Sequence, residues 1–182
     1  MNIAICAGFA LVAAIGVIVT LPLDAADQST AILPFDQYRV PPSALFKGTP
    51  APPQFKTSGQ RTFRTVIREA AQRGPNFAGH YRIAEWGCGT GCESIAIVDA
   101  GSGVVYDGPF GRLPKALVYL GPNVDEDKTG MSYRLDSRLF VVRGCPNFTA
   151  CGEYYYEWTG GGFKLLRETP ITPLPGSDPG KL

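Results

Sequence analysis

The apolar residues of this chain fall into three successive patterns. From Ile3 to Leu23 they run almost unbroken, with Thr20 the one polar interruption and no charge. Over residues 61–73 they recur at helical spacing: Phe63, Val66, Ile67, Ala70 and Ala71 share one face of a predicted amphipathic helix. Gly74 and Pro75 supply the stop signal. Arg61, Arg64, Arg68 and Arg73 lie mostly off that face, which reads as a solvated surface. Beyond Asn76 the period changes to two. Gly79–Trp86 alternates as a strand, with His80, Arg82, Ala84 and Trp86 on one side and Tyr81, Ile83 and Glu85 on the other. Ile95–Val98 and Val104–Tyr106 flank an Asp-Ala-Gly-Ser-Gly turn, and Glu153–Trp158 and Phe163–Arg167 flank Thr-Gly-Gly-Gly. Leu139–Arg143 reads as a buried strand, and Ala116–Leu120 as a shorter one. The pattern predicts an α+β, mainly β domain: an antiparallel meander or open barrel of about six strands, with the helix over one face. A propeller is the second choice, since no clean repeat of about 40–45 residues occurs.

This divides the 182 residues into four segments. Residues 1–25 form a signal peptide or a membrane anchor, the apolar run being just long enough to span a bilayer. Residues 26–57 form a proline-rich leader, with Pro34, Pro41, Pro42, Pro50, Pro52 and Pro53. Its Phe35, Tyr38, Leu45 and Phe55 suggest that it drapes over the domain. Residues 58–169 form the globular domain, and residues 170–182 a flexible tail rich in proline and glycine. The expected location is periplasmic or secreted, with anchoring to the inner membrane as the variant.

The cysteines agree with export. Setting Cys6 aside leaves Cys88, Cys92, Cys145 and Cys151, and an even count in an exported chain reads first as disulfides. Local pairs Cys88–Cys92 and Cys145–Cys151 are favoured over a cross-loop pairing. A four-cysteine zinc site is the lesser reading, because five residues separate Cys145 from Cys151.

Charge narrows the function classes. A net charge of +1 with 18% charged residues lacks the basic footprint of a nucleic-acid binder. A single histidine excludes a multi-histidine metal centre, and no cofactor motif is present.

The richest segment runs from Asn76 to Glu93 (Asn-Phe-Ala-Gly-His-Tyr-Arg-Ile-Ala-Glu-Trp-Gly-Cys-Gly-Thr-Gly-Cys-Glu). With Ile-Val-Asp-Ala-Gly-Ser-Gly-Val-Val-Tyr and Leu-Asp-Ser-Arg-Leu-Phe-Val-Val, it resembles a family of uncharacterised bacterial exported proteins over roughly residues 60–168. The resemblance implies export and a shared domain, and assigns no reaction.

Several sites carry candidate chemistry. His80 has the pKa range for a general base, with Glu85 or Glu93 as its partner, in a small exported hydrolase. Strand alternation puts His80 and Glu85 on opposite faces, and no Gly-x-Ser-x-Gly nucleophile elbow occurs. Gly87–Cys92 could cradle an anion, but lacks the Lys-Ser/Thr of a phosphate loop. Asn123, Asp125, Asp127 and Thr129 have oxygen atoms at alternate positions, but Lys128 and Arg134 occupy the places where a calcium loop needs Gly and Glu. Tyr154, Tyr156 and Trp158 share one side of a strand, as a partner- or glycan-binding surface or as core. No complete catalytic set emerges. The leading expectation is a non-catalytic binding module, acting through its cysteine-pinned loops on an envelope protein or glycan. It is expected to touch neither nucleic acid nor, its N-terminus aside, membrane.

Overall fold

A computed structural model describes residues 33–89, 91–113, 118–119 and 130–170. The proposed signal or anchor segment, the first part of the leader, the acidic loop at 121–129 and the tail beyond Pro170 lie outside these residues.

The helical stripe forms two short helices where one was expected: α1 (Ser58–Thr62) and α2 (Arg64–Gln72). Thr57 and Gln60 start α1 with a reciprocal capping box, each side chain meeting a backbone N–H of the other's turn. Phe63, at φ −99° and ψ 19°, ends one helix and begins the next. Its ring lies 4.7 Å from that of Trp86, so tertiary packing holds the break. Ile67, Ala70 and Ala71 are buried as the spacing required, and Gly74 takes the left-handed position after α2.

The rest is mainly β. Among the described residues there are eight strands: β1 (Tyr81–Gly89), β2 (Cys92–Asp99), β3 (Val105–Asp107), β4 (Val118–Tyr119), β5 (Gly130–Tyr133), β6 (Leu139–Pro146), β7 (Gly152–Trp158) and β8 (Phe163–Pro170). The order is β1-β2-β4-β6-β7-β8, with β3 beside β2 and β5 beside β6. Every pair of strands is antiparallel. The two-residue β4 joins two halves, β1–β3 and β5–β8, and the ends do not meet to close a barrel.

Aromatic rings fill the space between the halves. Trp158 is 1% exposed, with its ring 5.0 Å from Tyr81, 5.4 Å from Tyr106 and 4.9 Å from Phe163. Phe77 and Phe140 are also fully buried. On β7, Tyr154, Tyr156 and Trp158 all face this core, so their reading as a binding surface is corrected to core packing. Alternation found their common side, and burial decides which way it points. Tyr155 on the other side is also buried, with the Arg167 guanidinium 4.3 Å from its ring centre.

The leader is part of the fold from residue 33 onward. Val40 is buried and its N–H donates to the Asp136 carbonyl, Ala51 donates to the Ala100 carbonyl, and Gln54 to that of Gly103. The buried Ser137 hydroxyl donates to the carbonyl of Phe35.

Candidate functional site

The Asn76–Tyr81 motif is a backbone device. Phe77 and Tyr81 exchange both main-chain hydrogen bonds across a tight turn, and Ala78 (φ 45°) and Gly79 (φ 87°) take left-handed conformations within it. A Cβ on Gly79 would stand 2.7 Å from the Ala44 carbonyl oxygen, so only glycine fits beneath the leader. Gly79 N–H donates to the Leu135 carbonyl, and Phe46 N–H donates to Gly79's own. His80 sits in this turn with its ring against Tyr81, 4.1 Å between centres, and its carbonyl accepts from Ala100.

His80 therefore precedes β1, whereas Glu85 lies five residues on. At about 3.3 Å per residue that is about 16 Å of extended chain. Glu93 pairs opposite Gly87, further along still. The fold does not bring His80 to either carboxylate.

It does bring the two carboxylates together. Glu85 pairs with Ile95 and Gly87 with Glu93, so the two glutamates are diagonal neighbours on one face. Glu85 is exposed as a residue, yet desolvation of its carboxyl against the cleft pushes it above its ordinary value. A hydrogen bond from Tyr133 offsets part of this, and the Glu93 charge adds to it. The Tyr133 phenol is pushed up to about 12, by burial first and by Glu85 second. Val66, Glu69, Ala70, Arg73, Arg82, Ile83, Glu85 and Tyr133 line a cleft of about 130 Å³ between α2 and the edge of β1. Asn76 bounds this site. Its Oδ1 accepts from Ile83 N–H at 2.8 Å, and its Nδ2 donates to the Ile83 carbonyl at 3.4 Å and to the Tyr133 hydroxyl at 3.3 Å. Pattern reading set Asn76 at the head of the richest segment without giving it a role and did not single out Tyr133, because the two lie 57 residues apart and only the fold joins them.

The disulfides form as Cys88–Cys92 and Cys145–Cys151. Cys92 pairs with Tyr119 on one side of β4 and Cys145 pairs with Tyr119 on the other. Both bridges therefore occupy one end of the fold, two strand spacings or about 10 Å apart. The glycines around Cys88 belong to a strand end and a disulfide-closed turn, where Gly89 (φ 139°) and Gly91 (φ 62°) have positive φ.

The second bridge closes an unusual turn. Phe148 N–H donates to the Cys145 carbonyl and Thr149 N–H to that of Pro146, with Asn147 at φ 50° and Phe148 at φ 57°. Asn147 Nδ2 donates to the Phe110 carbonyl at 2.7 Å. A left-handed bulky residue is a true outlier, yet Phe148 is 47% exposed. This is a half-exposed aromatic side chain on a clamped turn, at the same end as the Cys88–Cys92 loop.

The calcium-like loop at Asn123–Thr129 lies outside the described residues, among which no cluster of three or more His, Cys, Asp or Glu is placed to hold a metal ion. No helix among them is long and apolar enough to cross a membrane. No family model, curated protein or solved structure matches this chain.

Proposed function

We propose that the protein is an exported, non-catalytic binding module of the bacterial envelope, contacting a protein or glycan partner through its disulfide-pinned end. The observation that carries this reading is Phe148. A non-glycine residue in the left-handed region costs roughly 1–2 kcal/mol, and such outliers collect at functional positions held by their surroundings. Here a bridge and two turn hydrogen bonds hold a half-exposed phenyl ring there. Export is supported by the uncharged apolar run at Ile3–Leu23 and by two disulfides suited to an oxidising compartment.

The alternative, a small hydrolase using His80 with Glu85 or Glu93, is less favoured because His80, ahead of β1, lies about 16 Å of extended chain from Glu85 and further from Glu93. The test is a sedimentation binding isotherm of the purified protein on bacterial envelope fractions. Saturable binding that Phe148→Gly abolishes, with the fold intact, is expected. Absence of saturable binding to every fraction would remove the proposal. Hydrolysis of an envelope substrate, lost in His80→Ala, would replace it.

A further inference from the structure

β1 is the last strand of the path, so its outer edge faces no strand among the described residues. In an antiparallel ladder alternate residues turn both backbone groups outward. On β1 these are the odd-numbered ones, as Tyr81 and Ile83 show: Tyr81 exchanges its pair with Phe77, and Ile83 gives its pair to the Asn76 side chain. Half of the edge is thus closed by two dedicated devices. The same alternation turns Glu85 and Gly87 outward, and neither backbone has a partner on that side among the described residues. A natural edge is guarded by charged side chains, lysine above all, or by proline, a bulge or a covering element. Glu85, Trp86 and Gly87 offer one carboxylate, which repels an acidic strand and admits a basic one, and the irregularity in β1 comes only after Gly87.

Charge selects the visitor. A strand added here places the residue opposite Glu85 on the same face as its carboxyl, where a cation is favoured. Glu93 is the diagonal neighbour on that face, and Glu69 lies across the cleft. The Glu85 carboxylate accepts from the Tyr133 hydroxyl and forms no ion pair with any described residue. Arg73 and Arg82 also line the cleft, with Arg82 donating to the Gly74 carbonyl. A second copy of this chain fits poorly, because Glu85–Gly89 of β1 carries no lysine or arginine to set opposite Glu85.

We infer that the Glu85–Gly87 edge of β1 receives an extended segment of the partner as an added strand, with a lysine or arginine set against Glu85. This rests on the binding-module reading and names the chemistry of the partner. The edge runs directly into the Cys88–Cys92 loop, so one partner reaches both.

The experiment uses the full chain and three fluorescent seven-residue peptides of alternating threonine and valine. One has a central lysine, one a central glutamate, and one repeats the lysine peptide with N-methyl groups on alternate residues of its pairing side. Fluorescence anisotropy is expected to give at least tenfold tighter binding of the lysine peptide than of the glutamate peptide, and loss of binding on N-methylation. Gly87→Pro removes an outward N–H without breaking a ladder bond, and is expected to fold and to lose the lysine peptide. The N-methyl comparison decides the matter on wild-type protein if that variant does not fold. No binding of the lysine peptide, or equal binding of its N-methyl form, would overturn the inference. A concentration-dependent dimer that Gly87→Pro dissolves would overturn it in favour of self-pairing. Envelope binding that survives Gly87→Pro but fails in Phe148→Gly would sink the edge while leaving the module reading standing.

Discussion

Replacing Phe148 by glycine and, separately, by alanine isolates the strain on which the proposed contact rests. Both variants lose the same ring and whatever the half-buried ring contributes. They differ in backbone preference at φ 57°. Alanine retains the left-handed penalty of roughly 1–2 kcal/mol, and glycine does not. Against that, glycine's freer unfolded chain costs roughly 0.4–1 kcal/mol. The balance leaves Phe148→Gly more stable than Phe148→Ala by about 1 kcal/mol. For a domain of this size that is roughly 3–4 °C in Tm. The assay is thermal unfolding by circular dichroism without reductant, with urea midpoints as a second measure. If alanine proves as stable as glycine or more so, Phe148 is not held in the left-handed region, and the inference from strain to function fails.

Other changes test the rest of the architecture. Trp158→Ala empties the centre of the aromatic core and should cost about 3–5 kcal/mol in urea unfolding; a surface role would cost under about 0.5 kcal/mol. Asn76→Ala strips the side-chain pair from the Ile83 edge and should destabilise by about 1–3 kcal/mol, measured the same way. Tyr133, Tyr154 and Tyr156 are each pushed up to about 12, chiefly by burial. Their folded values exceed the ordinary phenol value of about 10, so their contribution is complete below pH ~10 and is lost as pH climbs towards 12. Denaturation midpoints should fall across that window, with phenolate absorbance at 295 nm rising late; a flat midpoint from pH 9 to 12 would contradict the burial of these rings.

The parts legible in the sequence were those governed by neighbours in the chain. Glycine-bearing turns between alternating runs gave the β2–β3 and β7–β8 hairpins. Short loops gave both disulfides, because a cysteine six residues away is a likelier physical partner than one across the domain. The stripe from Phe63 to Ala71 gave α2, but not the break at Phe63, which Trp86 imposes from another element. α1 carried a readable signal in Thr57 and Gln60 that the apolar pattern overlooked, since Ser58, Gly59 and Gln60 have no apolar side chain. β5 was missed because Gly-Met-Ser-Tyr is short and barely alternates. On β7 both faces are buried, so alternation alone could not tell core from surface. The lone histidine has the chemistry of a general base, whereas the chain uses the turn around it for its backbone. The cleft beside Glu85 depends on Asn76, Tyr133 and α2, which sequence spacing cannot join.

Hydrogen–deuterium exchange of the protein, alone and saturated with the envelope fraction that binds it, tests most directly whether the disulfide-pinned end is the contact surface. Protection confined to residues 85–92 and 145–151 is expected. Protection centred on His80 and the Asn76–Tyr81 turn, with the two pinned segments unchanged, would contradict it.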